Sequence, residues 1–92
     1  MRSRPGSRVA VLRLTGLQVK ALAYIADYQR REGAPPTRRE LCLFMGWNTP
    51  STAQRMVDVL VKKELLERIA ERHGVIRLTT LGQSVLNQRV AA

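Results

Sequence analysis

Residues 35–55 read PPTRRELCLFMGWNTPSTAQR, and the architecture of the chain follows from them. Thr37 and Glu40 have the spacing of a capping box, in which each side chain satisfies a free backbone N–H at the other's position. The apolar residues Leu41, Leu43, Phe44 and Met45 follow, and Gly46 is placed to close the helix in a left-handed conformation. Thr49 then caps a second helix, with Pro50 at its first position, where the missing N–H is no loss. Two short helices joined by a tight turn form a helix-turn-helix. The second helix of that motif characteristically lies in a DNA major groove.

Upstream, residues 1–8 (MRSRPGSR) are basic with almost nothing to bury, and are expected to form a flexible arm carrying Arg2, Arg4 and Arg8. Val9 to Leu14 suits a short strand or a lead into the first helix. Thr15 and Gln18 form another capping box, and Val19, Leu22, Ala23, Ile25 and Ala26 share one face of a helix over residues 16–32. Gly33 ends that helix, and Ala34-Pro35-Pro36 is a rigid connection.

Downstream, the helix from Pro50 to about Lys63 sets Ala53, Met56, Val57, Leu60 and Val61 at core spacing. The opposite face carries Ser51, Thr52, Gln54, Arg55 and Asp58. Residues 65–69 and 75–78 read as strands joined by a turn at Arg72-His73-Gly74, which makes a β-hairpin. Thr80 and Gln83 have capping-box spacing for a last helix through Val85, Leu86 and Val90. The expected fold is mainly α with a small β-hairpin: a winged helix-turn-helix with a three-helix core, a wing and a C-terminal helix. Residues 1–8 form the arm and residues 9–92 the domain.

The chain has 92 residues and a net charge of +9, from 16 Lys and Arg against 7 Asp and Glu. This size fits one domain with a small core. The excess of positive charge points to a polyanion, most often nucleic acid, although it also serves solubility or an acidic protein partner. The single Cys42 excludes an internal disulfide and reads as a small buried hydrophobe. No apolar run is long enough to span a membrane, and the N-terminus lacks the apolar core of a signal peptide, which implies a cytoplasmic protein. His73 has no Cys or His neighbours at metal-ligand spacing. No catalytic constellation, metal site or cofactor-binding motif is visible, so the chain reads as a non-enzyme.

With these residues laid out, the chain resembles the DNA-binding domain of the LexA repressor family over roughly residues 14–78. The resemblance rests on Leu14-Thr15 with Gln18, on Gly33-Ala34-Pro35-Pro36-Thr37-Arg38 with Glu40, and on Gly46-Trp47 with Thr49-Pro50. It continues through Leu60, Lys63 and Leu65-Leu66-Glu67 to Gly74-Val75-Ile76-Arg77-Leu78. It implies a winged helix-turn-helix that binds duplex DNA sequence-specifically. The family's base-reading positions fall on Thr49, Ser51, Thr52, Gln54 and Arg55. Family repressors carry acidic residues at the last two, so a different sequence is expected to be read here. Family repressors also continue into a self-cleaving peptidase domain with no counterpart in these 92 residues, so autoproteolysis is not implied. The final helix is more typical of small stand-alone regulators, where it supports dimerisation.

Within this reading, Arg55 suits a bidentate contact to guanine and Gln54 one to adenine. Ser51 and Thr52 suit bases or phosphates, and Thr49 is a cap first. Arg38 and Arg39, at the start of the second helix, and Arg72 and His73, at the hairpin tip, are candidate backbone contacts or plain solvated charges. The arm arginines suit an adjacent minor groove or add electrostatic affinity alone. Lys62 and Lys63 offset a helix dipole, and Trp47 plugs the space between helices. A homodimer is expected, because one such domain reads only a few base pairs. Its interface would be Val9–Leu14 or the last helix. Two functions stand at this point. One is a transcriptional repressor that occupies promoter DNA; the other is a phage or mobile-element module that binds a host protein.

Overall fold

A computed structural model describes residues 14–91, with side chains as far as Gln88. The elements run α1 (Gly16–Glu32), α2 (Arg38–Met45), α3 (Pro50–Lys62), β1 (Leu66–Arg68), β2 (Ile76–Leu78) and α4 (Thr80–Ala91). The basic arm and residues 9–13 lie outside the described residues. Leu14 is partly buried against the core and is not in a strand.

Two of the three capping boxes read from the sequence form. Gln18 N donates to Thr15 Oγ1 at 3.1 Å while Thr15 N donates to Gln18 Oε1 at 3.0 Å. Glu40 N donates to Thr37 Oγ1 at 3.1 Å while Thr37 N donates to Glu40 Oε1 at 2.8 Å. The third expected box does not form. The cap of α4 is Thr79, whose Oγ1 accepts from Gly82 N at 2.9 Å, and Gln83 instead donates to Asn87. A tertiary contact sets this register. Thr79 N donates to Leu65 O, and its hydroxyl donates to Glu64 O at 2.7 Å. Thr80 is exposed and makes no such bonds.

The core is built from Ala21, Leu22 and Ile25 of α1, Leu41 of α2, Val57 and Leu60 of α3, Leu65, Leu66, Ile76 and Leu78 around the hairpin, and Val85 and Leu86 of α4. Ala23, expected on the inner face of α1, is exposed; Ala21 takes that place, and Val19 and Ala26 are half-buried. In α2 only Leu41 is fully buried. Leu43 is 71% exposed, and Phe44 lies outside, stacked on Tyr24 with ring centroids 4.2 Å apart.

β1 and β2 pair antiparallel with Glu67 opposite Arg77, and these two form an ion pair across the hairpin. One antiparallel bridge, built of two hydrogen bonds, seats the hairpin on the segment before α2. It pairs Thr37 with Val75: Ile76 N donates to Pro36 O at 3.0 Å, and Arg38 N donates to Gly74 O at 2.7 Å. On the other side, Leu78 N donates to the side chain of Gln29 on α1 at 2.8 Å. The wing is thus held from two directions, by backbone bonds to the segment before α2 and by the Gln29 side chain of α1.

Candidate nucleic-acid interface

The turn between α2 and α3 is tied back onto α2. Gly46 has φ 75°, and its N–H and that of Trp47 return to the carbonyls at the end of α2. This left-handed conformation costs glycine nothing and would strain a residue with a Cβ. Trp47 is half-buried against the core, in the plugging role expected of it. Cys42 differs from expectation. It is only partly buried, and its thiol faces Trp47 O at 3.5 Å and Thr49 O at 3.6 Å. A surface cavity of about 460 Å³ borders it, lined also by Arg38, Arg39, Trp47 and Pro50.

Thr49 occupies the cap position of α3 with extended backbone, and Pro50 follows at the first helical position. Its side chain, however, caps no backbone N–H. Thr49 Oγ1 lies 3.2 Å from Ser51 Oγ and 3.3 Å from Thr52 Oγ1. The three hydroxyls form an exposed cluster at the tip of the helix, bonded to one another, each with donor or acceptor capacity left over.

One turn further on, Gln54 and Arg55 behave differently. Arg55 is exposed and has no hydrogen-bond or ion-pair partner among the described residues. Gln54 is half-buried, and both ends of its amide are engaged. Arg38 Nη1 donates to Gln54 Oε1 at 2.6 Å, and Gln54 Nε2 donates to Asp58 Oδ1 at 3.0 Å. Asp58 also pairs with Arg68 Nη2 of β1. A bidentate contact to adenine needs both ends of that amide, so Gln54 is not free to make one while this chain of bonds stands.

Arg38 differs in the same way. The start of α2 does not offer its first N–H to a phosphate, because Gly74 O takes it, and the guanidinium turns to Gln54. The Arg39 side chain beside it is exposed and unpartnered among the described residues, as are the side chains of Arg72 and His73 in the turn of the hairpin. A second cavity of about 260 Å³ lies between α3 and the hairpin, bordered by Arg38, Val57, Arg68 and His73.

These residues separate the arginines into two groups. Arg30 and Arg31 pair with Asp27, Arg68 with Asp58, and Arg77 with Glu67. Among arginines whose side chains are described, those without a carboxylate partner are Arg38, Arg39, Arg55 and Arg72, which lie at the start of α2, on α3 and at the hairpin tip. Sequence reasoning missed Asp58 and Arg68 as parts of this site. The spacing of Gln54 and Asp58 is legible as an i, i+4 pair, but nothing local announces that Arg68 reaches α3.

Glu40, in the first turn of α2, carries the clearest electrostatic signature. The backbone N–H of Thr37 holds its carboxyl below the ordinary range against an opposing effect of burial, and hydrogen bonds from Tyr28 and the Thr37 hydroxyl add to the lowering. Tyr28 OH donates to Glu40 Oε2 at 2.9 Å, and this bond, the largest cause, raises the phenol above its ordinary value.

A family profile described as the LexA DNA binding domain matches residues 12–74. The chain belongs to the LexA DNA-binding domain family. It is 33% identical over 76 residues to a LexA repressor of Polaromonas naphthalenivorans, covering 83% of this chain and 32% of that protein. It is 32% identical over 83 residues to a LexA repressor of Teredinibacter turnerae, covering 89% of this chain and 42% of that protein. The chain thus spans well under half the length of these LexA relatives. Among solved structures, the reduced form of MarR from E. coli superposes with a TM-score of 0.68 at 29% identity, covering 89% of this chain and 55% of MarR. A mutant of S. aureus MepR bound to an oligodeoxyribonucleotide superposes at 0.74 with 21% identity, covering 92% of this chain and 62% of MepR. The fold is a winged helix-turn-helix, as the sequence predicts. Among the described residues, no helix is long and apolar enough to cross a membrane.

Proposed function

We propose that this chain is a sequence-specific duplex DNA-binding module of a transcriptional repressor, which sets α3 in the major groove with the hairpin alongside. The observation that carries this reading is the distribution of charge. Among arginines whose side chains are described, those left without a carboxylate are around α2, α3 and the hairpin tip. Such groups release counterions from a phosphate backbone without first breaking an ion pair. Family membership supports the same reading.

In this arrangement Arg55 is the principal base-reading residue, and Thr49, Ser51 and Thr52 supply adaptable hydroxyls at the helix tip. Gln54 reads a base only after exchanging a partner. Arg39, Arg72 and His73 contact the backbone, Arg38 does so through its link to Gln54, and Arg2, Arg4 and Arg8 reach the adjoining minor groove. The chain works in the cytoplasm without catalysis, as a homodimer on two half-sites. A strict monomer with and without DNA in analytical ultracentrifugation counts against the dimer.

The decisive experiment is selection of bound sequences from a random duplex pool, followed by binding at graded salt. Arg55→Ala is expected to cost about 1–3 kcal/mol on the selected site and to relax preference at one position. Unchanged preference in Arg55→Ala overturns the assignment of Arg55.

A further inference from the structure

Asp58 is the only acidic residue of α3, and it lies on the polar face that the foregoing reading turns toward DNA. A carboxylate there repels phosphates unless a cation neutralises it. Arg68 does so from β1, and Gln54 donates to the same oxygen. The orientation of that amide is dictated by chemistry: the guanidinium of Arg38 has no acceptor and the carboxylate no donor, so oxygen faces Arg38 and nitrogen faces Asp58. The contacts Arg38–Gln54–Asp58–Arg68 therefore commit two guanidinium groups, one from α2 and one from the hairpin, to the middle of α3. Asp58 and Arg68 are 53% and 46% exposed, so the pair is open to solvent and a phosphate can reach Arg68 in exchange for the carboxylate.

We propose that Asp58 is an electrostatic latch that withholds Arg68 from the phosphates of non-specific duplex. The latch rests on the DNA-binding reading above and adds to it a residue that sets specificity. On an arbitrary sequence, Arg68 gains a phosphate only by giving up Asp58, and the exchange brings little. On the proper site, the base contacts of α3 hold the helix in place and Arg68 transfers to the backbone. Indiscriminate affinity is lowered more than specific affinity, which widens the ratio between them.

The test uses the full chain and fluorescence anisotropy on a random-sequence duplex titrated with sodium chloride. Asp58→Asn, which keeps an acceptor for Gln54, is expected to bind several-fold tighter. Its plot of log affinity against log salt steepens by about 0.9, the increment for one further phosphate contact. Arg68→Ala added to Asp58→Asn, a background in which no carboxylate is left uncovered, abolishes the steepening. Wild-type affinity and slope in Asp58→Asn overturn the latch, as does a steepening that persists when Arg68→Ala is added to it. If thermal melting shows that Asp58→Asn has lost its fold, Asp58→Ser, alone and with Arg68→Ala, carries the same test. A wild-type chain without salt-dependent duplex binding overturns the DNA reading and the latch together. Wild-type binding with an unchanged Asp58→Asn slope overturns the latch only.

Discussion

The two helices of the helix-turn-helix begin in opposite ways. α2 starts under a closed set of bonds: Thr37 and Glu40 cap one another, Tyr28 secures Glu40 from α1, and Gly74 of the hairpin takes the first N–H. α3 starts with no side-chain cap at all, and its three hydroxyls bond only to one another at the surface. Both starts carry a threonine at the cap position, yet only one threonine is used for stability. A group already satisfied inside the fold has little left to offer a ligand, whereas a group that forgoes its cap keeps its capacity. The difference separates the part of the motif that holds the fold from the part left available.

The start of α4 belongs with α2, and it provides the largest expected effect. A Cβ added at Gly82 would lie 2.3 Å from Leu65 O and 2.9 Å from Leu78 Cδ1. Because the nearer atom is backbone, Gly82→Ala is expected to cost about 1–3 kcal/mol, read as a lower urea midpoint. A stability equal to wild type would show that α4 can start without its seat against Leu65.

Next in size is the direct contrast between caps. Thr37→Ala is expected to lose about 1 kcal/mol, the usual value for a cap in use. Thr49→Ala should stay within about 0.5 kcal/mol, as for an exposed surface change. Equal losses in chemical denaturation would erase the distinction between the two starts.

The smallest effect is a dependence on pH. The carboxyl of Glu40 is held below its ordinary value of 4.5 in the folded state, chiefly by the Thr37 N–H. The unfolded chain therefore takes up this proton at higher pH than the folded one. The stabilisation is complete above the ordinary value and is lost as pH falls through the lowered one. The denaturant midpoint is expected to decline from about pH 5 downward, and Glu40→Gln flattens that decline. An identical acid profile in the variant would detach Glu40 from the stability of α2.

Much of this molecule is written in short-range pattern. The boxes at Thr15 and Thr37, the glycine at 46, the proline at 50 and the apolar spacing in α3 are local signals, because capping and turn chemistry act over three or four residues. They determined the order of elements and the winged helix-turn-helix. Tertiary structure decided what depends on approach between distant segments. Thr79 rather than Thr80 caps α4 because Glu64 and Leu65 receive its bonds. Arg38 and Gln54 are linked rather than free because α2 and α3 bring them within 2.6 Å. Arg68 meets Asp58 only because the hairpin is stitched to Pro36, Thr37 and Arg38. Sequence by itself determined which residues have the chemistry to meet a polyanion. Only the packed fold decided which are already spent on one another, since a hydrogen bond is fixed by distance and direction, and neither is a property of spacing along the chain.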